Sequence, residues 1–383
     1  MGKILLLTLV HPDFLPPVYA MAQVLADEGY LVDIITFTSD APGNFNIPGN
    51  ITTHIVTEHK GSSKQRAEAR SKYQVFVRDY ISRNKVTALF TYCEFSYLTA
   101  LTCPKSLPIF HFALELTDYS LQKLMKSPLG AIRTWKANRQ LDKAVFVSTP
   151  SQERSGWLAG RYQLNNIPDT VLNTPFIARS FELPDGRSML IPDAFKSKTI
   201  ILNTGGVNHT RSVLELIKGF ELTNDETCLI ITNISDNSYS KEVKKIVEKS
   251  SRKEDILLLG TISRAELIEL QASCDIGICL MKLENGFDAR MIAPNKVGEY
   301  LASGLLVLGV NTPYFHQFIP YHISELVDDL KADSVGNALN KLNLLSKQKD
   351  YKARILQCLQ EQYNMRIQLK SALKLLKTGN GSF

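Results

Sequence analysis

Two charged side chains stand on the first turns of a short, sharply bounded helix that the sequence predicts at residues 293–304. Pro294 suits the first helical turn and Gly304 suits the left-handed position just past the last one, so the helix leads directly into the apolar strand that follows. Lys296 and Glu299 lie three residues apart, near the end where free helix N–H groups bind anions. The spacing predicts a site for a phosphorylated ligand. The alternative is an ordinary surface ion pair between the two side chains.

A glycine-rich loop at residues 204–211 offers a second anion-binding pattern. Gly205 and Gly206 allow the backbone to approach a ligand closely, and Arg211 precedes a predicted helix, where a cation adds to the positive end of the helix dipole. The combination predicts a phosphate cradle. By itself the signal is weak, because two glycines after a strand often form only a turn.

His111 and Glu115 stand at the end of a predicted strand in the first half of the chain. Ligands of open α/β sheets bind beyond the carboxyl ends of the strands, which is where both side chains fall. We therefore take His111 as the first candidate for the catalytic region and Glu115 as a weaker one. The alternative is a structural histidine, which is the commoner role at a strand end.

The elements that must position these residues form two separate series of alternating strands and helices. The first series begins with a strand at 3–10, a helix at 18–28 and a strand at 31–37, which together make a βαβ unit. The second series begins with a strand at 199–203, after an aperiodic stretch at 176–198 that is typical of a linker. Alternating strands and helices favour parallel sheets with both faces covered. We therefore predict an α/β protein with two Rossmann-like domains.

The length of 383 residues is too great for one typical core and suits two domains. The predicted first domain spans residues 1–175 and the second spans residues 198–355. Helical spacing then continues almost to the end of the chain and predicts a single last helix over residues 351–377. The part of it at 356–378 is treated as a separate C-terminal segment.

Residues 121–141 combine lysines and arginines with apolar residues at helical spacing. The pattern predicts a basic amphipathic helix, interrupted at 128–130, that either rests on an anionic membrane surface or binds an acidic or lipid-linked substrate. We prefer the alternative of a solvated cationic face whose apolar side covers the sheet.

The composition excludes several functional classes. The net charge of +6 is modest and no dense tract of Lys or Arg is present, which argues against nucleic-acid binding. The longest apolar runs are too short to cross a bilayer, and we expect no secretory signal because Met1, Gly2 and Lys3 lead straight into the first strand. Six cysteines occur without a Cys-x-x-Cys pair or histidines at zinc spacing, so no metal is expected. These features predict a cytoplasmic protein, with contact to the inner membrane surface left open.

The pattern Pro-Asn-Lys-x-x-Glu-Tyr-Leu-Ala-x-Gly that starts at Pro294 resembles the donor-site block of GT-B glycosyltransferases, specifically those of the retaining family 4 type. The resemblance implies two Rossmann-like domains with parallel sheets facing across a cleft, and a last helix that crosses back onto the first domain. It also implies that Glu299 binds the ribose of a nucleotide sugar. Asn295 and the N–H groups at Ile292 and Ala293 would complete the donor-binding residues of this helix.

Family 4 enzymes bind the donor pyrophosphate with an arginine and a lysine from the glycine-rich loop. In this chain Arg211 stands at the lysine position, whereas Gly206 replaces the arginine. A second departure is Met291, which stands where the family has its first glutamate. Glu284 or Asp288, in the polar loop before it, would stand in for that glutamate.

The resemblance implies a retaining glycosyltransferase that moves a sugar from a nucleoside-diphosphate donor to a glycan, lipid-linked or other hydroxyl acceptor, in polysaccharide or glycoconjugate synthesis. Arg211 and Lys296 would neutralise the leaving group, and His111 would lie beside the transferred sugar. The donor is a substrate, and no cofactor is implied. Two rivals stay open: a sugar-nucleotide epimerase on the same fold, and a non-catalytic partner subunit, which the replacements at Gly206 and Met291 favour.

Overall fold

Two parallel β-sheets contain the strands that the structure, a computed structural model, describes. The described residues are 2–9, 11–12, 15–37, 49–56, 62–114, 128–175, 188–283 and 291–379. The chain divides into two compact units, of which the first comprises Met1–Phe176 and Met365–Phe383 and the second comprises Ile177–Asn364. Each unit contains one of the sheets.

The first unit has a seven-stranded parallel sheet in the order β3-β2-β1-β4-β5-β6-β7. Its strands are β1 (Lys3–Leu7), β2 (Leu31–Thr36), β3 (Ile51–Ile55), β4 (Val86–Thr91), β5 (Ile109–Phe112), β6 (Phe146–Thr149) and β7 (Asp169–Thr170). Its helices are α1 (Pro16–Asp27), α2 (Ser63–Arg83), α3 (Glu94–Ala100), α4 (Pro128–Asn138), α5 (Gln152–Tyr162), α13 (Met365–Gln368) and α14 (Lys370–Gly379). Ile4 and Leu6 belong to one buried cluster and Leu5 and Leu7 to another. Both faces of β1 are therefore covered, which explains its unbroken apolar sequence.

The second unit has a six-stranded parallel sheet in the order β10-β9-β8-β11-β12-β13. Its strands are β8 (Thr199–Asn203), β9 (Thr227–Ile231), β10 (Ile256–Leu258), β11 (Ile276–Cys279), β12 (Leu306–Val310) and β13 (Ser324–Val327). Its helices are α6 (Val213–Phe220), α7 (Ser238–Lys249), α8 (Arg264–Ala272), α9 (Asn295–Ala302), α10 (Pro313–His316), α11 (Ala332–Ser346) and α12 (Tyr351–Glu361). The predicted α/β class with two Rossmann-like parallel sheets is confirmed.

The strand order reverses at one point in each sheet. In the first unit β1 lies between β2 and β4, and in the second β8 lies between β9 and β11. The chain thus adds strands on one side of its first strand and then on the other, which opens a crevice outside the carboxyl ends of the strands at that point. Functional side chains are therefore expected on the segments that follow β1, β4, β8 and β11.

The end of the chain contradicts the prediction of a single helix over residues 351–377. Helix α12 ends at Glu361, and the shorter helices α13 and α14 follow it. Gln362 leaves the helical conformation with φ −149°, and Tyr363 turns into the second unit, where it is 0% exposed with its ring 5.1 Å from that of Phe318. Burial of a large aromatic side chain outweighs the few hydrogen bonds that a continued helix would add.

Helix α4 exposes the apolar face that the sequence analysis assigned to the sheet. Leu129, Ile132 and Trp135 are 77%, 58% and 52% exposed. The buried positions of the helix hold small or polar residues: Ala131, Thr134, Ala137 and Asn138. They allow a close approach to α3, where Thr134 Oγ1 donates to Glu94 Oε1 at 3.1 Å. The preferred interpretation of an apolar side covering the sheet is therefore wrong for α4, while residues 121–127 lie outside the described residues.

None of the helices in the described parts of the chain has both the length and the apolar character to cross a bilayer.

Helix α9 packs against β11 through a contact that leaves no room for a side chain on the strand. Val297, Tyr300 and Leu301 form the buried face of the helix and are each 0% exposed. A Cβ atom on Gly277 would lie only 2.3 Å from Cδ2 of the Tyr300 ring. Gly304 follows the helix with φ +79°, as predicted, and turns the chain into β12. The glycine in β11 thus allows α9 to lie directly on the sheet.

We expect Gly277→Ala to destabilise the protein by roughly 1–3 kcal/mol, because the added methyl group overlaps the Tyr300 ring. Gly260→Ala is the matched control in the same unit, since the nearest atom to a Cβ there is Ile234 O at 3.9 Å. Urea unfolding measures both free energies. Equal stability of Gly277→Ala and the wild type would contradict the close contact.

Candidate functional site

The hydroxyl group of Tyr300 joins α9 to the ends of two neighbouring strands. It accepts a hydrogen bond from the Thr204 N–H at 3.0 Å, and it lies 2.9 Å from Thr204 Oγ1 and 3.3 Å from Ile278 O. Lys296, one turn earlier on α9, donates from Nζ to Thr204 O at 3.3 Å. Three polar atoms of Thr204 therefore contact one helix, which fixes the start of the glycine-rich loop after β8.

The glycine-rich loop leads from β8 into α6 at the reversal point of the sheet. Gly205 adopts φ +92°, a conformation that favours glycine, and both Gly205 and Gly206 are exposed. A single 3-10 turn at His209–Arg211 follows, and Asn208 Oδ1 accepts from the Thr210 N–H at 3.0 Å. This turn ends the loop directly before α6, so its last residue lies at the amino end of that helix.

Two cations, Arg211 and Lys296, share one electrostatic neighbourhood at this edge of the sheet. Burial lowers the pKa of Lys296 below its usual value; the Cys279 thiol opposes this shift and the charge of Arg211 adds to it. Burial raises the pKa of Cys279, the last residue of β11, and the positive charges of Lys296 and Arg211 partly oppose this rise. No described residue pairs with the Arg211 guanidinium through a hydrogen bond or an ion pair. Cations without a carboxylate partner, beside a strand-end crevice, suit a diphosphate.

Glu299 forms an ion pair with Nη2 of Arg264, and the two side chains are 16% and 22% exposed, respectively. Arg264 is the first residue of α8, whose start is stabilised by a capping box. Ser263 Oγ accepts from the Glu266 N–H at 3.2 Å, and Glu266 Oε2 accepts from the Ser263 N–H at 2.7 Å. The alternative of a surface ion pair between Lys296 and Glu299 is therefore wrong. Lys296 of α9 therefore contacts the start of the glycine-rich loop, whereas Glu299 contacts α8.

The other predicted donor-binding residues lie at the start of α9. Pro294 is the N-cap with an extended ψ of 129°, and Asn295 is the first helical residue. Ile292 is buried, while Ala293 and Asn295 are half-buried. Because the helix begins after Pro294, its free N–H groups belong to Asn295 and the residues that follow it rather than to Ile292 and Ala293.

His111 lies inside the sheet of the first unit and is 1% exposed. Its Nδ1 lies 2.8 Å from Thr91 Oγ1, and its ring centroid lies 4.5 Å from that of Tyr97. Burial lowers the pKa of His111 to about 3, so the imidazole is neutral in the folded protein at neutral pH. This environment is typical of a structural histidine. A role beside a transferred sugar stays a prediction.

The structure separates the predicted site residues into groups. Three of them lie on the segments around the strand-end crevice of the second unit: Arg211, Lys296 and Glu299. Three others lie outside the described residues: Glu115, Glu284 and Asp288. His111 belongs to the first unit. Arg264 was not predicted as the partner of Glu299, because only the packing of α8 beside α9 brings these two residues together. Tyr300 shares the apolar face of α9 by its helical spacing, but such spacing carries no signal for the polar contacts of its hydroxyl group.

Solved structures with the same fold match the whole chain. A glycosyltransferase from Rickettsia africae ESF-5 matches with a TM-score of 0.67 and 13% identity, over 100% of this chain and 99% of that one. Alr3699/HepE of Anabaena, in complex with UDP and glucose, has a TM-score of 0.66 and 12% identity, over 99% of this chain and 100% of that one. A candidate UDP-N-acetylglucosamine 2-epimerase from Listeria monocytogenes has a TM-score of 0.63 and 13% identity, over 100% and 97% of the two chains.

No protein-family model matches the chain, and no curated protein sequence does. At such low identities the structural likeness identifies the fold. The protein has the GT-B fold, with two Rossmann-like α/β domains that each contain a parallel sheet.

We expect the free energy of unfolding to fall as the pH is lowered from about 6.5 toward 3, in part because of His111. The folded protein keeps this imidazole neutral down to its lowered pKa of about 3, whereas in the unfolded chain the imidazole binds a proton near the ordinary histidine pKa of about 6.5. The unfolded state therefore binds more protons in this range, and stability rises with pH. His111→Gln should flatten this part of the profile in urea unfolding across the pH range. An unchanged slope would show that His111 is protonated in the folded state.

Proposed function

We propose that the protein is a retaining glycosyltransferase of the family 4 type that transfers a sugar from a nucleoside-diphosphate donor to an acceptor hydroxyl. The observation that carries the proposal is the pair of cations, Arg211 and Lys296, at the reversal point of the second unit. Likeness to a glycosyltransferase and to a protein that binds UDP and glucose supports the nucleotide-sugar class. The proposed acceptor is a glycan or a lipid-linked molecule, in polysaccharide or glycoconjugate synthesis.

In the proposed reaction, negative charge grows on the departing diphosphate. Arg211 binds it through guanidinium N–H groups, Lys296 through Nζ, and the free N–H groups at the start of α9 add the positive end of a helix dipole. An anion beside Lys296 stabilises its charged form, which burial alone disfavours. The departing phosphate takes the acceptor proton, so the proposal needs no protein base. The nucleotide sugar is a substrate, and no resident metal or cofactor forms part of the proposal.

The donor nucleoside is proposed to contact α9 at Glu299, one turn after Lys296. Glu299 accepts hydrogen bonds from the ribose hydroxyls, and Arg264 holds its carboxylate in place. The exposed backbone of Gly205 and Gly206 allows the diphosphate to come close to the loop. The proposed donor contacts also include Ile292, Ala293 and Asn295.

A sugar-nucleotide epimerase is a second candidate function, favoured by the likeness to the candidate epimerase from Listeria monocytogenes. An epimerase would also need the diphosphate and ribose contacts, because it acts on the same class of donor. The two functions differ in their products. A transferase consumes the donor only with an acceptor or slowly with water, whereas an epimerase isomerises the sugar without any acceptor.

We further propose peripheral contact of α4 with the inner surface of the cytoplasmic membrane. Leu129, Ile132 and Trp135 form an exposed apolar face, and the exposed Lys136 and Arg139 border it. Apolar side chains flanked by cations suit an anionic lipid surface. In a co-sedimentation assay with vesicles that contain phosphatidylglycerol, we expect a larger bound fraction for the wild type than for Ile132→Ser. With pure phosphatidylcholine vesicles we expect little binding of either protein. Equal sedimentation of the two proteins with both vesicles would contradict the contact.

We expect Arg211→Ala to lower sugar transfer or donor hydrolysis by about 10²-fold, because one preorganised charge partner of the leaving group is lost. Arg211→Lys should recover only part of the rate, since an ammonium cannot bind phosphate through two parallel donors. Lys218→Ala removes an exposed cation from α6 and is the control for net charge. A rate unaffected by Arg211→Ala, or a wild type that binds no nucleotide sugar, would favour a non-catalytic partner subunit.

We expect Glu299→Gln to weaken UDP binding by about 1.5–3 kcal/mol, because a charged acceptor of hydrogen bonds is replaced by a neutral one. Arg264→Gln is the matched variant, since it breaks the same ion pair but keeps the carboxylate. Calorimetry should show a much smaller loss of UDP affinity for Arg264→Gln. Unchanged UDP affinity in Glu299→Gln would mean that Glu299 serves only as the ion-pair partner of Arg264.

A further inference from the structure

Three arginines gather at the carboxyl edge of the sheet in the first unit, and we call Arg66, Arg70 and Arg133 the arginine cluster. The position of α2 follows from Tyr73, whose hydroxyl lies 3.0 Å from Ile35 O, near the end of β2, and 3.2 Å from the carbonyl oxygen of Thr8, just past β1. Arg70 stands about one turn before Tyr73 and Arg66 about one turn before Arg70. Both therefore lie at or beyond the strand ends.

Arg133 reaches the same edge from α4. Glu94 begins α3 directly after β4, and it accepts a hydrogen bond from Thr134 Oγ1 at 3.1 Å. The guanidinium carbon of Arg70 lies 5.7 Å from the ring centroid of Phe95, the next residue of α3. Arg70 thus lies beside the first turn of α3, next to the crevice where the strand order reverses between β1 and β4, and Arg133 lies within electrostatic range of Arg70.

The positive charges of the arginine cluster have no carboxylate partner in the described part of the chain. Glu94 lies at the same edge but accepts from Thr134 and pairs with none of the three. Nε of Arg70 is buried and has no hydrogen-bond partner among the residues that the structure describes. Burial lowers the pKa of Arg70, and the like charges of Arg133 and Arg66 lower it further. Arginine stays charged in proteins, so these cations repel one another until an anion binds.

The geometry points to a subsite in which the arginine cluster binds a phosphoryl group carried by the acceptor. Planar guanidinium groups bind phosphate through parallel N–H donors, and three positive charges suit a doubly charged phosphate monoester better than a singly charged carboxylate. The donor diphosphate is already assigned to Arg211 and Lys296 of the second unit. The inference rests on the proposed function, because it names the chemical class of acceptor for that transferase.

The test measures binding of inorganic phosphate by calorimetry, with UDP at saturation so that the donor site is filled. Arg70→Gln and Arg133→Gln should each weaken phosphate binding by about tenfold, as expected for the loss of one charged hydrogen-bond partner. Lys72→Gln removes an exposed cation from the same helix and is the matched control, with no change expected. If Arg70→Gln does not fold, Arg66→Gln replaces it in the phosphate-binding test, because Arg66 is exposed.

A second arm separates a free phosphorylated sugar from a lipid headgroup. Glucose 6-phosphate is compared with glucose, and vesicles of phosphatidylcholine with phosphatidic acid are compared with pure phosphatidylcholine vesicles. Arginine-dependent binding of either phosphorylated probe supports the inference and identifies the source. Equal phosphate affinity of the arginine variants, Lys72→Gln and the wild type would overturn it.

The two proposals fail in different ways. If the wild type binds and turns over UDP-glucose but shows no arginine-dependent binding of phosphate, the transferase proposal stands and the acceptor subsite is contradicted. If the wild type binds phosphate through the arginine cluster but neither binds nor consumes any nucleotide sugar, the transferase proposal is contradicted, and so is the assignment of the phosphate site to an acceptor.

Discussion

The buried hydroxyl of Tyr300 is the contact on which the geometry of the second unit's site depends. A hydroxyl group taken from water is stable only with hydrogen-bond partners, and here they are the backbone N–H of Thr204 and the nearby Ile278 carbonyl. The contact holds α9 against the ends of β8 and β11, and the bare backbone of Gly277 makes room for the ring. Every other polar contact of α9 follows from this placement.

Charge compensation distinguishes the candidate sites from the rest of the molecule. Arg252 is 8% exposed, but its Nη2 lies 2.9 Å from Asp255 Oδ2 and its guanidinium also donates to backbone carbonyls. Lys3 similarly lies 2.8 Å from Asp33 Oδ2. Arg211 and the arginine cluster have no such partners among the described residues. Because an uncompensated cation at a partly buried position costs free energy, these two places suit anionic ligands, whereas the paired cations serve stability.

Much of the fold could be predicted because its signals are local. The unbroken apolar sequence of β1 is typical of a strand covered on both faces, and a serine followed three residues later by a glutamate, as at Ser263 and Glu266, is typical of a helix start. Gly304 marked the end of α9 for the same reason, since only a glycine takes its left-handed conformation without strain. The predictions that were wrong concerned tertiary burial: the helix break before Tyr363, and the outward face of α4. In both cases packing with a distant partner overrode the local helical pattern.

The sequence by itself determined the α/β class, the two parallel sheets and the loops that follow the strands. These features depend on apolar periodicity and turn residues, which are local properties of a few neighbouring residues. The sequence also singled out Arg211, Lys296 and Glu299 by type and spacing. Only the tertiary structure decided how these charges are used. Lys296 reaches Thr204, Glu299 reaches Arg264, and His111 is held neutral inside a sheet. Ion pairing and desolvation depend on groups that are distant in sequence, and only the folded chain brings those groups together.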